Sequence, residues 1–280
     1  IIETNNSSLD NLLNLDSFGK NWGWRRSGSQ EDWSKLVINQ SKKQGISFQQ
    51  FSGNELWKRC KSSKNLNQLR HCDDIYDRES TFMIGIKKQH QTIWHPPTLW
   101  LGMGCERNTN KKFIEDSLSQ FLDDNKISIL SIAGIATVDL KKDETAILDI
   151  AKDNQWPIKF ITNKTLLKEN VPNPSQVVFD EIGSYSVAEA SCLNAAGKDA
   201  KLLVEKNIFI NKKFSGDRKG AVTLAIAESK NQFAPKRGHI HIIGSGPGNL
   251  SLLTVDAKIA LSECPVWIGY KMYLDLLDPL

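Results

Sequence analysis

Gly102-Met-Gly-Cys-Glu-Arg-Asn-Thr109 ends an apolar strand pattern in a glycine turn and then opens a helix, the place where open α/β sheets bind ligands. Backbone N–H groups at such a helix start favour an anion, and Arg107 can add a bidentate clamp on a carboxylate. The same residues equally suit a plain glycine turn capped by Thr109 or Asn110. Ala136-Thr-Val-Asp-Leu-Lys-Lys-Asp-Glu144 and Gly183-Ser-Tyr-Ser-Val-Ala-Glu-Ala190 fall where further loops of one crevice would lie. Asp143 and Glu144 suit a helix dipole or acid–base work, while Ser186 and Glu189 have capping-box spacing. Cys105 is a candidate nucleophile, but no histidine is placed to activate it, so a packed or substrate-contacting thiol is the plainer reading.

A second constellation begins at Gly238. His239 to Ile243 reads as a buried strand, Gly244, Gly246 and Gly248 free the backbone for a sharp turn, Leu250 to Ser262 has a helical apolar face, and Pro265 to Tyr270 reads as a second strand. Asn249 after Gly248, Pro247 inside the loop and the lack of an acid after Tyr270 argue against a dinucleotide fingerprint, which leaves NAD or FAD the lesser reading. No G-x-x-x-x-G-K-[ST] phosphate loop is present.

The elements that must position these residues follow from pattern. His95-Pro-Pro97 interrupts any regular element, so a boundary is expected near residue 94. After it come a strand at Leu99 to Met103, a helix from Asn110 to Asn125, a strand at Ile127 to Ile132, a helix near Asp143 to Asn154 and a strand at Ile158 to Ile161. A helix from Ser186 to Ala196 and a hairpin-like pair, Lys201 to Val204 and Ala221 to Ala227, complete the pattern. The fold class expected is α/β: a small α/β domain over 1–93, an open, mostly parallel sheet with helices on both faces over 94–230, a linker at 231–237, and a β-α-β opening over 238–280.

Composition narrows the function. The chain has 280 residues, 40% hydrophobic and 24% charged, which is normal for a globular protein. A net charge of +4 without an arginine-rich helix or stacked aromatic strand argues against nucleic acid, yet suits a ligand rich in carboxylates. The longest apolar run, Ile127 to Val138, is too short to span a bilayer, so no membrane partner is expected. Five cysteines without a C-x-x-C pair favour a reducing cytoplasm over disulfides or structural zinc, and His239 with His241 reads as packing rather than a metal site. The opening Ile1-Ile-Glu-Thr has no initiator methionine or leader, so both ends are expected to be cut.

Two resemblances add to this reading. The Gly244 to Gly248 loop, with Thr254, Ala257, Gly269 and Tyr270, resembles the start of the tetrapyrrole methylase family, in particular the precorrin-3B C17-methyltransferases. That resemblance implies S-adenosylmethionine near Gly244, Gly246, Pro247 and Gly248, and a homodimer through the complete methyltransferase domain. The three loops beginning at Gly102, Ala136 and Gly183 resemble, in order, the G-x-G-C-x-R-x-T, A-T-x-D-x-K-x-D-E and G-S-x-S-V-A-E-A segments of the carboxyl-terminal domain of CbiG-type cobalt-precorrin-5A hydrolases. Leu15-Asp-Ser-Phe-Gly19 and Trp22-Gly-Trp-Arg25 resemble that family's junction between its amino-terminal and middle domains.

Together they look like the bifunctional fusion found in some bacterial cobalamin pathways. The hydrolase resemblance implies opening of the δ-lactone on ring A of cobalt-precorrin-5A with release of acetaldehyde, cobalt arriving within the corrinoid substrate rather than at a protein metal site. The chemistry needs a positioned water, a base and oxyanion donors, for which Arg107, Glu115, Asp143 and Glu189 are the catalytic candidates. Gly104, Cys105, Thr109, Ser184 and Ser186 are the candidate substrate contacts. The alternative is a non-catalytic module that binds a tetrapyrrole and hands it to the fused methyltransferase.

Overall fold

The structure is a computed structural model that describes residues 13–59, 69–71, 80–89, 92–211, 220–230, 232, 240–244, 246, 249–264 and 266–277. The chain forms two compact units, Ile1–Lys236 and Arg237–Leu280.

The first unit holds two five-stranded sheets. One is built from β1 (Arg25–Ser27), β2 (Ile46–Gln50), β3 (Leu69–His71), β4 (Thr81–Ile84) and β5 (Ile93–His95), in the order β1-β5-β4-β2-β3. Only β1 runs antiparallel to its neighbour. Helix α1 (Gln30–Ser41) starts at Ser29, whose Oγ accepts the Asp32 N–H and so satisfies one of the orphan donors of the first turn. Trp33 and Leu36 of this helix join Leu15, Trp57, Phe82 and Trp94 in the core, with Phe18 edge-on to Trp24, Phe82 and Trp94.

The second sheet positions the loops of interest. Its strands are β6 (Leu99–Cys105), β7 (Ile132–Val138), β8 (Ile158–Ile161), β9 (Lys201–Ile210) and β10 (Ala221–Glu228), in the order β8-β7-β6-β10-β9. β6, β7 and β8 are parallel, whereas β10 is antiparallel to both β6 and β9, so the parallel part ends at β6. Helices α2 (Lys111–Asp124) and α3 (Thr145–Asp153) cover one face. The other face carries α4 (Asn163–Leu166) and α6 (Ala188–Ala196), with α5 (Gln176–Ile182) between them in the chain. Alternation along β6 sorts the faces: Leu99, Leu101 and Met103 meet α2 and α3, and Trp100 lies on the α6 side. The α6 side is lined by small residues, Ala136, Ala225 and Ala227, and Gly102 is there because nothing larger fits. A Cβ on Gly102 would lie 1.8 Å from the Ala188 carbonyl oxygen.

The strand expected at Ile127 to Ile132 is displaced to Ile132–Val138. Ser128 Oγ accepts the Leu130 N–H and turns residues 129–131 into a short 3-10 helix. The second half of the apolar run takes the strand because Gly134 lets Trp100 and Pro157 press close, an added Cβ lying 2.7 Å from each. Helices α4 and α5 were not expected.

The two sheets meet at His95, which is fully buried. Its ring lies 2.8 Å from Ser27 Oγ and 2.8 Å from the Gly85 carbonyl oxygen, and burial pushes its pKa down to about 4. Ser52 donates to Glu228 at 2.6 Å across the same junction.

In the second unit, Thr254 caps helix α7 (Val255–Glu263), followed by α8 (Lys271–Leu277). The strands expected at His239 to Ile243 and Pro265 to Tyr270 are not formed over the described residues 240–243 and 266–270. An apolar strand is stable only where neighbours take its backbone groups and cover its face. Here Ile240, Ile242 and Ile268 are almost fully exposed.

Gly102→Ala is expected to destabilise the first unit by about 3 kcal/mol, because the methyl group collides with backbone rather than with a movable side chain. Gly244→Ala, which meets nothing within 4 Å, is expected to leave the urea midpoint unchanged. Equal midpoints for the two variants would contradict the close packing of α6 on β6.

Candidate functional site

The carboxyl ends of β6 and β7 open into a crevice of about 480 Å³. Gly104, Cys105, Glu106 and Arg107 form one side of it, and Leu140 and Lys141 continue it from the end of β7. Ser175, Val178, Glu181 and Ile182 enter from α5, Ser186 and Val187 from the start of α6, and Lys206, Ile208, Ala221 and Thr223 from the β9–β10 hairpin. Volume and mixed lining are those of a small-molecule site.

The turn after β6 is held by bonds of its own and by bonds to β10 and to the loop after β7. Asn108 adopts φ 58°, Thr109 Oγ1 donates to the Glu106 carbonyl at 2.7 Å, and Asn110 caps α2 by accepting the Phe113 N–H. The Glu106 N–H donates to Ala221 O at 3.0 Å, and the Asn108 N–H donates to Glu144 Oε1 at 3.0 Å. These two amides are therefore committed to the protein. Arg107 is paired with Asp143 and donates to Leu140 O at 2.6 Å. The hydrogen bond from Arg107 holds the Asp143 carboxyl below its ordinary range, which makes it a weaker base. Glu144, only 4% exposed, receives the Asn108 N–H with Arg107 and Lys141 each 3.9 Å away, so it ties the β6 turn to the β7 loop.

Glu189 is fully buried behind the crevice. It accepts from Asn173 Nδ2 at 2.8 Å, from the Lys206 N–H at 3.0 Å, and from Asn173 N and Ser186 Oγ at 3.3 and 3.4 Å. Ser186 Oγ in turn accepts the Glu189 N–H at 3.3 Å, one half of the capping box expected from the spacing; α6 starts after Val187, and the Glu189 carboxylate takes the Ser186 hydroxyl rather than its backbone N–H. Ser184 is buried and donates to Ser186 O at 3.2 Å. Cys105 lies in the crevice wall, where burial, outweighing the nearby Lys141 charge, pushes its thiol up to about 11. It is protonated near neutral pH, which suits a contact and not an attacking thiolate.

Of the residues singled out by sequence, the structure brings Gly104, Cys105, Arg107 and Ser186 to the crevice wall. Asp143 reaches it only through Arg107. Thr109, Ser184 and Glu189 are buried behind it. Glu115 is elsewhere, 3.6 Å from Lys111 and in the wall of a separate cavity of about 600 Å³ beside α2. Glu106, Lys141, Glu181, Lys206 and Thr223 line the crevice without having been chosen. The motif containing Lys141 did flag its loop, but Lys206 lay beyond the expected end of its strand.

In the second unit, Gly246 takes φ 67°, as a turn requires, but a Cβ on Gly244 or Gly246 would meet nothing within 4 Å. Pro247 and Gly248 lie outside the described residues. The described residues there build no cradle for S-adenosylmethionine. Among the described residues no group of His, Cys, Asp and Glu is arranged to hold a metal ion, and no helix is long and apolar enough to cross a membrane.

The sheet that builds the crevice and its three loops falls within residues 99–227, which match the family described as Cobalamin synthesis G C-terminus. The chain belongs to that family, since it also covers 71% of Protein CobE from Sinorhizobium sp at 34% identity over 110 residues, 39% of this chain. A cobalt-precorrin-5A hydrolase from Priestia megaterium is 25% identical over 239 residues, which is 80% of this chain and 60% of that protein. The chain thus spans well under the full length of that relative. Cobalamin biosynthesis protein CbiHC from Archaeoglobus fulgidus is 39% identical over 46 residues, 16% of this chain and 10% of that one.

Alkylation of Cys105 by iodoacetamide at pH 8 is expected to be about a hundredfold slower in the folded chain than in urea, since its raised pKa suppresses the thiolate until the pH approaches 11. Peptide-resolved mass spectrometry measures this, and comparable rates would contradict the half-buried, protonated thiol.

Proposed function

We propose that the first unit acts in cobalamin biosynthesis by opening the δ-lactone of cobalt-precorrin-5A with release of acetaldehyde. The observation that carries this reading is the convergence of the Gly102, Ala136 and Gly183 loops on one crevice with apolar walls, three cations and two carboxylates. Apolar walls suit the face of a tetrapyrrole, and cations suit its acid side chains. Attack on the lactone carbonyl needs a base for water. Asp143, Glu144 and Glu189 are engaged in structural pairs, so the bases assigned here are the acids that line the crevice without an ion pair among the described residues, Glu106 and Glu181. The Lys141 charge offsets the negative charge that grows on the lactone oxygen. Cobalt belongs to the substrate.

We further propose that the segment from Gly238 begins a precorrin-3B C17-methyltransferase using S-adenosylmethionine and dimerising through its complete domain, a reading supported by its loop motif and by the kinship to CbiHC.

The second reading, a module that binds the tetrapyrrole and hands it on, is favoured by the engagement of Asp143, Glu144 and Glu189 in structural contacts. Acetaldehyde assay with cobalt-precorrin-5A separates the two. Hydrolysis predicts release by the parent chain, reduced about a hundredfold or more by Glu106→Gln or Glu181→Gln. Binding of the corrinoid without release would favour the handover reading, and undiminished release by both variants would overturn the assigned acids.

A further inference from the structure

We infer that Lys206 is the anchor for a carboxylate of the ligand, an inference that rests on reading the crevice as the tetrapyrrole site. Three cations line the crevice, and two of them are already matched by carboxylates: Arg107 by Asp143 and Lys141 by Glu144. Lys206 is different. Its Nζ donates to a neutral carbonyl, Asn173 O at 2.8 Å, and no carboxylate lies within 4.0 Å of it among the described ion pairs. An ammonium has three N–H donors, so the contact to Asn173 leaves two for a ligand.

The backbone is shaped to present this side chain. Leu224 pairs with Asn207 and Ile226 with Val204, so Glu205 and Lys206 together oppose Ala225 in a β-bulge. A bulge re-aims a side chain but frees a ladder N–H. Here that N–H, on Lys206 itself, donates to the buried Glu189 at 3.0 Å. The oxygens of Glu189 are shared among four such donors, from Asn173, Ser186 and the Lys206 backbone, and not with the Lys206 ammonium. Glu189 is therefore a positioning residue that fixes the bulge, and Lys206 carries its charge to the crevice.

Uroporphyrin, a tetrapyrrole octacarboxylate, is the probe, titrated by fluorescence against the full chain at several salt concentrations. The expected result is that Lys206→Met weakens binding about tenfold and flattens the salt dependence, while Lys206→Arg restores both. Wild-type affinity in Lys206→Met would overturn the anchor. So would an Lys206→Arg variant as weak as Lys206→Met with an unchanged salt slope, since the lysine would then serve only to hold Asn173. A wild-type chain that does not bind uroporphyrin would overturn both the anchor and the reading of the crevice on which it rests.

Discussion

The close approach of α6 to β6 over Gly102 is the constraint on which the site depends. With Ala188 O against the strand backbone, there is no side chain between helix and sheet at that point. The start of α6 is consequently brought to the carboxyl end of β6, and Ser186 and Val187 become walls of the crevice instead of being held off by a side-chain layer. Gly104 is also tight, where an added Cβ would lie 2.5 Å from Thr223 Oγ1 of the neighbouring β10 and 3.5 Å from Val187 at the start of α6. The small residues Ala225, Ala227 and Ala136 let the rest of the helix settle. Packing at this density leaves little room for adjustment.

Around that contact the polar groups divide into two sets. Glu144 and Glu189 are buried acids that receive N–H groups from separate segments and so fasten loops to one another. Glu144 joins the β6 turn to the loop after β7, and Glu189 joins α6 to Asn173 and to the bulge in β9. Their value is positional: a buried carboxylate satisfied by several donors holds its neighbours in one arrangement, and removing it would strand those donors. Glu106, Glu181 and Lys206, by contrast, face the crevice with capacity to spare for a ligand.

Pattern alone located β6, α2, α3, β8 and the end of α6 at Gly197, because each has a clear period or a terminating residue. It misplaced β7 because the run from Ile127 to Val138 is apolar throughout and the choice of strand is made by tertiary contacts at Gly134. It missed α5, whose apolar face is only Val178 and Ile182, both partly buried, within seven residues beside Pro172 and Pro174. The loops of the site were legible, whereas the roles within them were not. Asp143 and Glu189 have the residue type of a catalytic acid, and only their partners, Arg107 in one case and Asn173 with Ser186 in the other, show them to be engaged. Lys206 needed the bulge, a feature of pairing between distant strands that has no local sequence mark.

In the proposed function the ligand lies beyond the carboxyl ends of β6 and β7. Amide hydrogen exchange of the full chain with and without uroporphyrin locates the ligand without assuming any residue's role. Added protection is expected at Gly104 to Asn108, around Lys141 and at Ser186 to Val187. Protection confined to Leu118 to Leu130, around the larger cavity beside α2, would contradict it.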